Sequence, residues 1–315
     1  MDNLIYSLNA TVPVFVVIVA GYIFKKIGWI NDGFIKASNK LTFTVTLPLL
    51  LIQDMMNNDF LKKFDLTYVL FCFFVTLLCC IGTTIVTKIV MKDKSIIAEF
   101  VQASYRSSAA VLGAAFILNI YGDAGMLPLM IIGAVPLYNV YAVIILTVEC
   151  PEKGAKQEKT LAKTLKGIAT NPIILGIVIG VIFSVLKIKF PPMLDNTVNN
   201  FAKITTPLAL LAIGGSFEFG KAIERMKPAV IATALKLVGW PLIFLPIAIK
   251  MGFRNDELMA LVIMLGSPTT PSCYVMAKSM KSEGTLTSSV IVLTTLFSAF
   301  SITGIIFVLR SLGYL

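Results

Sequence analysis

The sequence contains no histidine. Its absence removes the Ser-His-Asp and Cys-His nucleophilic arrangements and the HExxH zinc motif. Five cysteines are present, Cys72, Cys79, Cys80, Cys150 and Cys273, and none has metal-ligand spacing. Four of them fall inside apolar runs, which argues against a disulfide framework and against a zinc site. No cofactor is expected. Charge is scarce as well. Charged residues make up 14% of the chain, where a soluble domain carries about a quarter.

Apolar residues take their place. They form 57% of the 315 residues, in runs of roughly 20, long enough to cross about 30 Å of hydrocarbon as helix. The sequence therefore predicts an all-α polytopic membrane protein. Ten spans are expected, near 11–29, 34–53, 66–91, 96–119, 124–148, 168–188, 197–217, 228–250, 257–278 and 285–309. The first run has no basic segment before it, and Lys25 and Lys26 follow it. It is expected to be a transmembrane helix and not a cleaved signal. The net charge of +10 is scattered over short loops. It is expected to set topology beside an anionic lipid bilayer, not to bind nucleic acid.

One hydrophilic linker, 151-PEKGAKQEKTLAKTLK-166, lies midway along the chain. A shift of 159 residues aligns the two sides of it without a gap. Pro13 then falls on Pro172, Gly21 on Gly180, Pro48 on Pro207 and Ser108 on Ser267. The expected organisation is a five-helix repeat over 1–150, a linker over 151–167 and a second five-helix repeat over 168–315. An odd number of spans inserts the second copy upside down, as in many secondary transporters.

Lysine and arginine set the orientation. With the N-terminus outside, inner loops hold Lys25, Lys26, Lys36, Lys40, Lys88, Lys92, Lys94, Lys153, Lys156, Lys159, Lys163, Lys166, Lys221, Arg225, Lys227, Lys278 and Lys281. Outer segments hold Lys62, Lys63, Lys187, Lys189, Lys250, Arg254 and Arg310. The balance of 17 against 7 places both termini outside the cell membrane and the linker in the cytoplasm.

Inside the ninth span stands 265-LGSPTTPSCYV-275. Pro268 and Pro271 each remove a backbone donor and free carbonyls that need other partners in lipid. Its mate in the repeat is 104-SYRSSAAVLGAAF-116, in the fourth span. Two interrupted helices that cross can line a polar cavity for each other. Ser267-Pro268 or Thr270-Pro271 would open a half-helix near the membrane centre, whose free N–H groups suit an anion. The competing reading is a simple proline kink whose hydroxyls bond back to their own helix.

Arg106 sits near the middle of the fourth span, where insertion costs roughly 2.5–3.5 kcal/mol. No carboxylate is expected at comparable depth, since Asp54, Glu99, Glu149, Glu218 and Glu257 fall near span ends. The counter-ion is then expected from substrate, because a guanidinium binds a carboxylate bidentately. Candidate binding residues are Arg106, Ser107, Ser108, Asn139, Ser267, Pro268, Thr269, Thr270 and Pro271. Asn139 also fits plain interhelical bonding. Lys203 is a candidate substitute for a cation site, or a snorkelling interfacial lysine. Lys236 is deeper and fits a structural pair or a cavity-facing role.

Several stretches resemble the auxin efflux carrier family: 41-LTFTVTLPLLLIQDM-55, 170-TNPIILGIVIGVIFSVLKIKFPPML-194, 205-TTPLALLAIGGSF-217, 138-YNVY-141, and Pro268 with 277-AK-278. The resemblance covers essentially the whole chain. It implies ten helices with crossing, interrupted fourth and ninth helices, a scaffold and a transport domain, and elevator-like alternating access. Carboxylate recognition near the crossing is implied too, as in bacterial malate and malonate permeases. The chain departs from the family where many members carry asparagine and this one carries Ser108, and at 113-GAA-115, where Gly-x-Pro is common.

The expected function is therefore secondary transport of a small organic anion, without enzymatic activity. A cation-coupled sodium–proton antiporter or sodium–bile acid symporter type is the alternative, and a non-transporting receptor or scaffold a further one. Coupling ion, direction and a homodimeric state stay open.

Overall fold

A computed structural model of the chain describes residues 2–57, 65–109, 125–149 and 169–315, and of residues 2–11 and 219 the backbone only. The linker and the second half of the fourth span lie outside the described residues. Every described element is helical.

The first helix, α1, runs Asp2–Lys26, and α2 spans Asp32–Leu41, capped by Asn31, whose side chain accepts from the backbone N–H of Phe34 across 2.9 Å. A π-helical turn, Thr42–Thr46, joins α2 to α3, Leu47–Asn57. Then follow α4, Leu66–Val90, and α5, Ile97–Tyr105. The long α6 is Leu127–Glu149. Asn171 opens α7, Pro172–Val185, by accepting from Ile173 N at 3.0 Å, with Pro172 in the first turn where no donor is lost. After it come α8, Pro192–Gly215, and the short α9, Phe219–Glu224. Next, α10, Met226–Ala234, and α11, Trp240–Lys250, are joined by a second π turn, Leu235–Gly239. The chain closes with α12, Asn255–Gly266, α13, Ser272–Ser279, and α14, Thr285–Ser311.

Among the described residues, four stretches are long and apolar enough to cross a membrane: Leu66–Val90, Leu127–Glu149, Met226–Lys250 and Thr285–Ser311. Their outward faces are apolar. Leu70, Phe74, Leu78, Ile85 and Ile89 of α4 are all exposed, the pattern of a helix solvated by lipid. The opposite holds for α5 and for Leu258–Gly266 of α12, where every residue is buried. A helix buried all round must be apolar or internally paired on every face. These two helices are also the ones that run into broken backbone, so the breaks are enclosed by protein and not by lipid, the only place where such backbone is tolerated.

Two groups of helices pack most closely. In one, α1 lies along α8 and α3 along α7, with α8 also against α3. The contacts are tight enough to need glycine. A Cβ on Gly180 of α7 would lie 2.9 Å from the Cα of Ile52, and one on Gly21 of α1 would lie 3.0 Å from the Cα of Leu211. In the other group, α4 packs on α5 and α6, and α14 on α10 and α12; α14 also packs extensively on α1, which joins the two groups.

Candidate functional site

The breaks decide where the polar groups gather. The fifth helix ends at Tyr105, and Arg106 is extended, with φ −70° and ψ 138°. The twelfth ends at Gly266, and Ser267 is extended at φ −72° and ψ 156°. For Ser267 the cause is local, since a residue before proline is driven out of the helical region. No proline follows Arg106. Its break is held by the tertiary structure instead.

The two interrupted segments bond to each other. Ser108 N donates to Pro268 O at 2.9 Å, and Thr269 Oγ1 donates to Ala103 O at 2.7 Å. Gln102 Nε2 donates to Cys273 O at 3.2 Å. Ala103 O, in the last turn of α5 and without a helical donor, thus finds one on the other segment.

Arg106 is 2% exposed. Its Nη2 donates to Asn139 Oδ1 at 2.7 Å and to Ser272 Oγ at 2.8 Å, and its Nη1 points at Met276 Sδ, also at 2.7 Å. These three partners are neutral. Its Nε is buried with no partner. The guanidinium is thus enclosed, with three neutral hydrogen-bond partners and a spare donor.

Beside it lies a cavity of about 60 Å³. Arg106, Ser107, Ser108, Asn139, Thr270 and Pro271 line it together, so six of the nine expected binding residues converge. Ser267, Pro268 and Thr269 do not line it. Pro268 and Thr269 instead tie the two segments together through the bonds above, and Ser267 ends α12. Lys203 is exposed and does not line the cavity, which removes the geometric ground for a cation-site role there. The half-helix question also resolves: Ser267 terminates α12, and α13 starts after Pro271 with no side-chain cap.

Sequence reasoning missed part of the wall. Asp54, Tyr138, Thr205, Thr206 and Ser272 line the same cavity. Asp54 had been expected near a span end; α3 continues to Asn57 and carries it alongside the crossing. The signal was available: Leu47, Leu50, Leu51 and Asp54 recur at helical spacing and share one face. Thr205, Thr206 and Ala209 of α8 complete that side.

Lys236 was expected to pair or face a cavity. It is 0% exposed and caps backbone instead. Its Nζ donates to Leu265 O at 2.7 Å, to Met264 O at 3.3 Å and to the hydroxyl of Ser107. One turn on, Trp240 Nε1 donates to Ser104 O at 2.9 Å. Two residues of one helical face therefore serve the carbonyl ends of both broken helices.

A second cavity, about 910 Å³, lies between the ends of α1, α2, α8 and α13. Lys25, Lys26, Lys36, Lys40 and Lys278 line it with only Asp32 and Glu218 of opposite sign, so it is electropositive.

The chain as a whole matches a known family. The family described as "Membrane transport protein" matches residues 6–306. The chain belongs to this family. It is a multi-pass membrane protein of auxin efflux carrier type, as the motifs implied. Among curated proteins, a Rhizobium meliloti (strain 1021) protein named "Putative malonate transporter" is 27% identical over 164 residues, which is 50% of this chain and 50% of that protein. The match spans about half of that relative's length.

Proposed function

We propose that this family member carries small organic anions, carboxylates of the malate or malonate kind, by alternating access at the crossing of α5 and α12–α13. The observation that carries the reading is Arg106, enclosed, hydrogen-bonded only to neutral groups and left with an unpaired Nε at the wall of the central cavity, which Asp54 also lines. The malonate in the name of the relative, matched over half its length, points to the same chemical class.

The cavity geometry favours movement of two bodies. One wall comes from α3 and α8 and the other from Arg106–Ala109, α6 and Thr270–Ser272. At about 60 Å³ it is well below the roughly 300–1,000 Å³ of a small-molecule pocket. Substrate entry then requires the two walls to part, which an elevator-like displacement of one body against the other provides.

The inverted five-helix repeat gains support from packing. Gly21 against Leu211 and Gly180 against Ile52 are the same pair under the 159-residue shift. In this reading the lysine-lined cavity faces the cytoplasm and draws anions toward the crossing, both termini are outside the cell membrane, and the 151–166 linker is cytoplasmic. The test is flux in proteoliposomes across a panel of mono- and dicarboxylates, wild type against Arg106→Ala. Carboxylate-dependent uptake or exchange that Arg106→Ala abolishes is the expected result. Absence of flux for every acid in the panel would overturn the proposal.

A further inference from the structure

Lys236 is a buried ammonium whose three oxygen partners are all uncharged: the Ser107 hydroxyl and the carbonyls of Met264 and Leu265. The two carbonyls belong to the last turn of α12, the negative end of that helix. Met264 O also accepts from Tyr138 Oη at 3.2 Å. Ser267, in the same break, keeps a buried hydroxyl with no partner. Backbone carbonyls at a helix C-terminus, supplemented by hydroxyls and closed to solvent, form the oxygen shell that a small alkali cation takes in discontinuous transporter helices.

We propose that Lys236 is a tethered cation filling an alkali-cation-type site, formed by Ser107, Met264 and Leu265, that holds the crossing charged and closed without Na⁺. The side chain reaches this shell from the π turn Leu235–Gly239. A π turn inserts an extra residue and re-aims the side chains that follow. Trp240 on the next turn ties the same helix to α5, so the ammonium is fixed relative to both breaks. The consequence for transport, anion binding that needs no bound alkali cation, rests on the crossing being the substrate site. The assignment of the cation shell does not.

The experiment uses purified full-length protein, with no carboxylate present, and compares thermal unfolding in NaCl, LiCl and choline chloride at equal ionic strength. The wild type is expected to melt at the same temperature in all three. Lys236→Ala removes the ammonium and leaves room in the shell. In choline it is expected to melt roughly 5–10 °C lower. A saturable recovery of at least about 3 °C is expected at about 300 mM Na⁺ or Li⁺. Lys236→Met removes the charge but fills the space, and is expected to melt low in all three salts. Saturable stabilisation of the wild type by Na⁺ would overturn the proposal. So would a Lys236→Ala protein indifferent to the cation, or one that cannot be folded even in NaCl, or a Lys236→Met protein as stable as wild type. No readout here involves a carboxylate, so failure of the flux test and failure of this one are separate results.

Discussion

The backbone N–H of Ser108 donates to the carbonyl oxygen of Pro268 across 2.9 Å, joining two chain segments that have both lost their helical bonding. Each supplies what the other lacks. Pro268 cannot donate, and its carbonyl is left over by the break. Ser108 has left the helix and has a free N–H. The bond fixes the two breaks at one depth, and it brings Arg106 of one segment to Ser272 of the other.

Arg106→Ala is expected to weaken carboxylate binding tenfold or more, since a charge-assisted hydrogen bond contributes about 1.5–3 kcal/mol. Arg106→Lys is expected to recover only part of it, because an ammonium lacks the planar fork. Binding measured by calorimetry or ligand-induced thermal shift decides this. Equal affinity in the folded variants would remove the arginine from the site.

Gly21→Val and Gly180→Val are expected to destabilise alike, by about 1–3 kcal/mol, because each forces a side chain into the backbone of the facing helix. Gly304→Ala, which meets nothing within 4 Å inside α14, serves as the control and is expected not to destabilise, gaining up to about 1 kcal/mol of helix propensity. Thermal unfolding in detergent reads all three.

Glu99 is 1% exposed and holds the start of α14. Its Oε1 accepts from Ser282 Oγ at 2.5 Å and Gly284 N at 2.7 Å, and its Oε2 from Thr287 N at 3.0 Å. Glu99→Gln places an amide against donors on one side or the other. A loss of about 1.5–3 kcal/mol is expected, seen as a lower melting temperature and faster amide exchange at residues 282–287. Unchanged protection there would show that the carboxylate does not anchor this turn.

Asp93, in the loop before α5, is held below the ordinary carboxylate range first by its hydrogen bond from Ser95 and next by that from Arg225. A depressed carboxyl stabilises the fold above its unfolded value and loses that contribution as pH falls through the folded one. Solvent screens this partly exposed pair, so Asp93→Asn is expected to cost about 1 kcal/mol or less at neutral pH. The difference from wild type should close below about pH 4. A gap that persists at lower pH would assign it to another cause.

The candidate site was legible only where chemistry and chain position coincide. Arg106 and the Pro268–Pro271 segment stood out because charge and proline are anomalous in an apolar run. Asp54 did not, because its depth depends on how far α3 continues beyond the hydrophobic stretch. Lys203 and Lys236 looked alike as lone lysines in spans. One is exposed and the other wholly enclosed.

By itself the sequence determined the helical, membrane-spanning character of this protein, the anomaly of an arginine inside an apolar run and the interruption at Pro268. These are properties of the chain read over one or two turns: hydropathy, charge and the missing N–H of proline. Only the tertiary structure decided that Arg106 meets Asn139 and Ser272, that Lys236 serves carbonyls and not a carboxylate, and that helix α5 stops without a proline. The reason is geometric. Where a side chain points around its helix, and which distant segment receives it, follow from how the helices pack. That packing is settled by contacts between residues more than a hundred positions apart, such as Ser107 and Lys236.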